Sequence, residues 1–418
     1  MLRASIFLVF ASLAAPVYAQ DCFFEFMSIP SPGSDEVATA DIDNDGDIDL
    51  LYGREIFLNT GDGQTYLPGQ VLGARNDDII RSLFADFDFD GDIDIFQSEI
   101  RFAVVGFDST GYLWLNDGSG NFSMDPIPVF EESGTVSPRA VANFDSNSDL
   151  DLVIADIGVS GDTILRTLLN VGNGSVISDT SLASLQIGII ETADIDGDSD
   201  VDILATDFAL RMFQNDGNGS FTAVDGDFGF NGAITDFCVG DFDADGDIDL
   251  VARREILVGG YFERELVIGL NDGNGNFTPN LLRDGVATRF GTGDFDGDGA
   301  GDLDFAFSNN FGSGGVSAFL NQGNAEFTEL ALSIDFVAAV ADLNGDGRDD
   351  LIGADGQILL SQLPFLAGDV NLDGSVDLLD VAPFVDSITS QTYQAQADVN
   401  RDCEVDLLDV APFVDLLD

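Results

Sequence analysis

Histidine and lysine are both absent from the 418 residues, and only three cysteines occur. Without imidazole there is no neutral-pH proton shuttle, no histidine metal ligand and no Ser-His-Asp chemistry; without lysine there is no Schiff base. Carboxylate chemistry survives, because glycoside hydrolysis runs on two carboxylates alone. Cys22, Cys238 and Cys403 are an odd, sparse set rather than a disulfide framework. They read as small buried side chains, with Cys22 and Cys403 the pair to test as a bridge. Positive charge is scarce as well: 15 basic residues, all arginine, stand against 76 acidic ones, a formal net charge of −61. Such a surface repels phosphate backbones and anionic headgroups, so no nucleic acid partner is expected. Long apolar runs are missing too. The longest, Ala4 to Ala15, is too short to span a bilayer; with Met1-Leu2-Arg3 before it and Val17-Tyr18-Ala19 after it, residues 1–19 read as a secretory signal peptide. We expect a secreted, extracellular or surface-associated product with no membrane insertion.

What is present is aspartate in a repeating pattern. In "DIDNDGDIDL", Asp41 to Leu50, five carboxylates fall within nine residues, and like charges so close oppose one another's ionisation unless a cation lies between them. The first position recurs at Asp86, Asn143, Asp194, Asp241, Asp294 and Asp342, at intervals of 45, 57, 51, 47, 53 and 48 residues. Each unit runs from an apolar segment through the acidic loop to a second apolar run, such as "IDLLYG" or "IDLVAR". A third run ends in Leu-Asn or a variant, and a glycine-rich turn leads to a fourth, as in "FLNTGDGQTYL" and "GLNDGNGNFTP". Asn-Asp-Gly turns between short apolar runs indicate hairpins, and four short antiparallel strands per unit make a propeller blade. The fold class expected is therefore mainly β, a seven-bladed propeller over 20–363. Its seventh unit lacks a fourth strand, which the orphan N-terminal run at 22–30 supplies, latching the ring.

The acidic loops and "LNDGNGNF" turns resemble FG-GAP or VCBS repeats, the calcium-binding propeller repeats also found in integrin α subunits. Calcium is also the physical choice, a hard cation that takes six to eight oxygens from alternating side chains of a tight loop. The expected ligands are Asp41, Asp43, Asp45 and Asp49; Asp86, Asp88, Asp90 and Asp94; Asp194, Asp196, Asp198 and Asp202. They continue with Asp241, Asp243, Asp245 and Asp249; Asp294, Asp296, Asp298 and Asp302; and Asp342, Asn344, Asp346 and Asp350. The fourth loop carries Ser199 where glycine relieves the turn elsewhere. The third loop, Asn143, Asp145, Asn147 and Asp151, has lost two charges and that glycine, and is expected to bind weakly or stay empty.

After a short linker at 364–367 the pattern changes. "GDVNLDGSVDLLDVAPFVDSI" and "ADVNRDCEVDLLDVAPFVDLL" are near duplicates, each an acidic loop followed by an apolar helix, with an acidic residue at loop position 12. Residues 368–418 resemble a dockerin type I domain, a small α-helical domain with two calcium loops. The resemblance implies calcium ligands at Asp369, Asn371, Asp373, Ser375 through its carbonyl, Asp377 and Asp380. The second loop implies Asp398, Asn400, Asp402, Glu404 at the carbonyl position, Asp406 and Asp409, with Cys403 where the loop wants glycine. It also implies a cohesin-type partner, bound through equivalent faces at Leu378-Leu379 and Leu407-Leu408.

For the propeller we expect a protein- or glycan-binding or adhesion module whose recognition face lies opposite the acidic loops. Arg54, Arg75, Arg101, Arg139, Arg253, Arg254, Arg264, Arg283 and Arg289 map there, with Phe107, Tyr261 and Phe262. Arginine suits acidic glycans or a protein carboxylate; pairing with the surplus acids is the other use open to it. The alternative is a carbohydrate-active hydrolase or lyase using paired carboxylates on that face, with Glu131 a candidate.

Overall fold

The computed structural model describes residues 24–29, 37–73, 78–102, 107–124, 130–147, 149–158, 163–170, 176–184, 188–207, 209–224, 226, 228–285, 287–297, 303–309, 315–321, 323, 325–332, 334, 336–353, 356–361, 370, 378–390, 397 and 407–416. The expected signal peptide, the linker at 364–367, Cys22 and Cys403 lie outside them. The chain divides into two compact units, one holding Phe23–Leu330 and Ile334–Phe365, the other Met1–Cys22, Ala331–Ser333 and Leu366–Asp418.

The larger unit is a seven-bladed propeller. Blade 1 pairs Val37–Ala40, Asp49–Tyr52, Glu55–Asn59 and Tyr66–Val71 in that order. Blade 2 uses Asp78–Ala85, Asp94–Phe102, Phe107–Asn116 and Phe122–Met124; blade 3 uses Phe130–Ala142, Asp151–Gly158, Thr163–Asn170 and Val176–Ser184. Blade 4 follows with Ile190–Ala193, Asp202–Thr206, Leu210–Asn215 and Phe221–Val224, and blade 5 with Ala233–Gly240, Asp249–Val258, Tyr261–Asn271 and Phe277–Asp284. Blade 6 is Thr288–Gly293, Asp304–Ser308, Val316–Asn321 and Phe327–Leu332. Blade 7 takes Ala339–Ala341, Asp350–Ile352 and Gln357–Ser361 from the end of the unit and Phe24–Ser28 from its beginning, the last lying antiparallel with Phe26 opposite Leu359. Blades 2 and 3 depart from simple repetition: Phe130–Ser133 also pairs with Asp108–Gly111, joining the two into one sheet.

Apolar residues on both faces of the second strand explain why these sheets stack. Asp49–Tyr52 and Asp304–Ser308 are buried along their whole length, whereas the outer strand Tyr66–Val71 is half-exposed. The core consists of layers between blades. Ile42, Leu51 and Ile56 pack on Ile95, Tyr112 and Trp114 of blade 2, and phenylalanines 242, 305, 307 and 319 fill the layer between blades 5 and 6. Leu50 and Tyr52 meet Leu343, Ile352 and Leu360 of blade 7, so the first blade closes on the last. Each such fully buried leucine contributes roughly 1.5–3 kcal/mol.

Among its described residues the smaller unit holds two short helices, α1 (Val381–Ser390) and α2 (Val410–Leu416). Their equivalent phenylalanines, Phe384 and Phe413, stack with ring centroids 3.9 Å apart, in a small core with Val370 and Ala397.

Candidate metal centres and a central cavity

Every acidic loop is tied down in the same way. Asp49, fully buried, accepts the Ile42 N–H at 2.8 Å through one oxygen and the Asn59 N–H at 2.7 Å through the other. The equivalent pair of donations reaches Asp94, Asp151, Asp202, Asp249, Asp304 and Asp350. The Asn59 side chain then donates to Ile48 O within its own blade at 3.0 Å and to Leu343 O of blade 7 at 2.6 Å. Asn116, Asn170, Asn215, Asn271 and Asn321 each reach back to the preceding blade's loop in the same way, and the Ser361 hydroxyl donates to Phe295 O. The loop that gathers the carboxylates is thus also the joint between neighbouring blades.

Within the loops, oxygens of Asp41, Asp43 and Asp45 lie within 4.8 Å of one another, as do those of Asp86, Asp88 and Asp90, and of Asp241, Asp243 and Asp245. Asp194, Asp196 and Asp202 form a fourth such group, and Asp294, Asp296 and Asp304 a fifth. One oxygen each of Asp43, Asp86, Asp196 and Asp243 is buried with no hydrogen-bond partner, the condition a cation relieves. Burial, then the neighbouring carboxylates, push the Asp43, Asp88, Asp196 and Asp243 carboxyls above their usual range. Burial likewise lifts Asp49, Asp94, Asp151, Asp202 and Asp249 to about 6, Asp350 to about 7 and Asp304 to about 8, against the N–H donations that pull them down. An all-oxygen set of this charge and crowding fits calcium.

Three loops differ from the simple pattern. In the sixth, the position of Asp49 is taken by Asp304, because the loop is two residues longer; Asp298 and Asp302 lie outside the described residues. The sequence signal was present in the second aspartate of the D-x-D in "GDLDFAF", directly before the apolar run. In the third, some polar groups bond one another, the Asn147 side chain donating to Asp145 at 3.2 Å and to Asn170 O at 3.3 Å and Ser146 donating to Gly217 O at 3.0 Å, while the Asn143 side-chain oxygen is buried without a hydrogen-bond partner. In the seventh, Arg348 forms an ion pair with Asp346; burial raises that carboxyl, but the guanidinium outweighs it and holds it below its usual value. Arg348 therefore competes with a cation for Asp346.

In the smaller unit Asp380 and Asp409 are fully buried at the starts of α1 and α2, where their carbonyls accept the Phe384 and Phe413 N–H groups at 2.9 Å each. Leu378, Leu379, Leu407 and Leu408 are exposed at 79%, 66%, 78% and 66%, apolar surface that the unit itself leaves uncovered. The remaining expected ligands, Asp369, Asn371, Asp373, Ser375, Asp377, Asp398, Asn400, Asp402, Glu404 and Asp406, lie outside the described residues.

Family models match in both units: an FG-GAP-like repeat over residues 41–96 and 194–252, and a dockerin type I domain over 367–412. The chain carries FG-GAP-like repeats and a dockerin type I domain. Dockerin type I domains bind calcium and cohesins. No curated protein matches the chain. Among solved structures, BBS1N in complex with ARL6DN, soaked with lead, is similar to this chain at 12% identity and a TM-score of 0.50, covering 83% of this chain and 99% of that one. The mercury-soaked crystal aligns at 10% identity and a TM-score of 0.49 with the same coverage. At such identities the likeness concerns the fold alone.

The described arginines of the expected recognition face differ in their surroundings. Arg54 pairs with Glu99 at 2.8 Å, Arg264 with Glu255 at 2.9 Å, Arg254 with Glu265 and Arg283 with Glu329, so these four serve the surplus carboxylates. Arg253 donates to Ala287 O at 3.3 Å. Arg139 and Arg289 line a cavity of about 710 Å³ ringed by the innermost strands, together with Arg81, Glu191 and Asp236, which the sequence reading missed. Arg75 and the side chains of Arg101, Phe107 and Glu131 lie outside the described residues. Tyr261 and Phe262, 79% and 69% exposed, form the tip of blade 5's long hairpin with Leu257 and Val258. Cys238 is a buried free thiol.

Proposed function

We propose that the protein is a secreted, calcium-stabilised binding module, its propeller recognising a protein or glycan and its dockerin domain attaching it to a cohesin-type partner. The attachment rests on one observation above others: the dockerin match coincides with two equivalent exposed leucine pairs, each directly before a buried loop aspartate, Asp380 or Asp409. Calcium at these loops orders the helix starts that carry the leucines, so binding should depend on it. Recognition by the propeller is supported by its exposed aromatic hairpin and by a central cavity of ligand size.

Immobilised type I cohesin modules, challenged with the full chain in calcium or in chelator, test the attachment. Capture in calcium that is lost on chelation, and lost with Leu378, Leu379, Leu407 and Leu408 all changed to Ser, is expected. Absence of capture by every module, or capture that ignores the leucines, contradicts it. A second reading, a carbohydrate-active enzyme, is favoured by the presence of two carboxylates, Glu191 and Asp236, in one cavity. It requires activity on a polysaccharide panel that Glu191→Gln abolishes.

A further inference from the structure

The charges of the central cavity are arranged in a layer. Counting back from the first residue of the following acidic loop, Arg81, Asp236 and Arg289 stand five residues before Asp86, Asp241 and Asp294; Arg139 stands four before Asn143, and Glu191 three before Asp194. At about 3.3 Å per strand residue these side chains leave the backbone within roughly 7 Å along the ring axis. They come from five consecutive blades, 2 to 6, while blades 1 and 7 contribute Val37, Ala38, Thr39, Val337 and Ala338, which are short or uncharged. One side of the cavity is therefore charged and the other small and neutral.

Two of the arginines are set by irregular backbone. Register slips between Pro138 and Ala140 and between Thr288 and Phe290 make Arg139 and Arg289 the extra residues of β-bulges, and Arg289 has φ of 54°, in the left-handed region that a long side chain avoids. Bulges of this kind re-aim side chains at functional sites. The Arg289 N–H donates to Asp236 at 3.1 Å, and its guanidinium lies 4.9 Å from the centre of the Phe336 ring, which fixes its position. Three of the chain's 15 basic residues thus meet in one cavity of a protein whose net charge is −61. The balance of that lining favours an anion where the rest of the surface repels one.

We propose that the central cavity binds a small hydroxylated carboxylate, the chemistry of an acidic sugar, with the carboxylate held by Arg81, Arg139 and Arg289 and the hydroxyls donating to Glu191 and Asp236. The proposal rests on the reading of the propeller as a recognition module and names its ligand class. Burial, with Asp236 adding and Arg81 opposing, pushes the Glu191 carboxyl up to about 7, so an incoming anion meets less negative charge there than a free carboxylate presents. The volume suits a di- or trisaccharide-sized molecule.

Calorimetric titration of the full chain in excess calcium with digalacturonate, its methyl ester, galactobiose and succinate is the test. One molecule of digalacturonate per chain is expected to bind, at least tenfold more tightly than the ester or galactobiose, which lack the charge, and more tightly than succinate, which lacks the hydroxyls. Arg139→Gln and Arg289→Gln, checked for an unchanged melt, should each weaken binding at least tenfold, while Arg264→Gln on the blade 5 hairpin leaves it unaltered. No digalacturonate binding at millimolar concentration, equal binding of the ester, equal binding of succinate, or wild-type affinity in both cavity variants overturns the proposal. The wild-type ester comparison holds even if a variant fails to fold. Cohesin capture is measured separately, so a failed ligand leaves the attachment reading untouched.

Discussion

At the residue scale the acidic loops store strain alongside charge. The fourth loop position has positive φ in all seven units, at Asn44, Phe89, Ser146, Gly197, Ala244, Gly297 and Gly345. The sixth is glycine with φ of 95–97° in loops 1, 2 and 5, but Ser199, with φ of 76°, in loop 4. For a residue with a Cβ this conformation costs about 1 kcal/mol or more. Ser199→Gly should therefore stabilise the protein by roughly 0.5–1 kcal/mol in urea unfolding, after the extra chain entropy of glycine is subtracted. A destabilised variant would show instead that the serine side chain makes a compensating contact. The sixth position was legible from sequence, because glycine recurs there. The fourth was not: phenylalanine and alanine give no sign of left-handed backbone, which is imposed on them by the carboxylates on either side.

At the element scale, the number and order of strands were readable because the acidic loop and the glycine-rich turn punctuate every blade. Two things escaped. The two-residue insertion hid Asp304 behind Asp302, since both satisfy the same spacing rule loosely, and only the paired donations from Phe295 and Asn321 separate them. The cavity charges escaped because Arg81, Glu191 and Asp236 sit in strands whose pattern reads simply as apolar and buried; their convergence needs the ring. Ring closure gives a prediction. Gln357–Ser361 is bonded on one side to Asp350–Ile352 and on the other to Phe24–Ser28. A chain beginning at residue 31 leaves that edge open, and exposed edges recruit other chains. We expect self-association by light scattering and a melt lowered by several degrees. A monomer that melts with the parent would mean that the N-terminal strand is dispensable to the ring.

At the scale of the whole molecule, one device serves two purposes. The buried aspartate of each loop orients that loop and, through the adjoining asparagine or serine, the loop of the blade before it is tied in. Repulsion among the carboxylates thus acts on the joints between blades, and a cation that relieves it acts there as well. For extracellular-type sites with dissociation constants of about 10⁻⁴ to 10⁻³ M, calcium at ten to a hundred times that level stabilises by roughly 1.4–2.7 kcal/mol per site. Were calcium to occupy all five carboxylate groups found among the described residues, the sum would be a large fraction of the stability of any domain. The most direct test is a calorimetric melt of the full chain in 10 mM calcium and again in excess chelator. A propeller transition that falls by well over 10 °C on chelation, and recovers when calcium is restored, is the result predicted. Superimposable melts would contradict the claim that calcium holds the ring together.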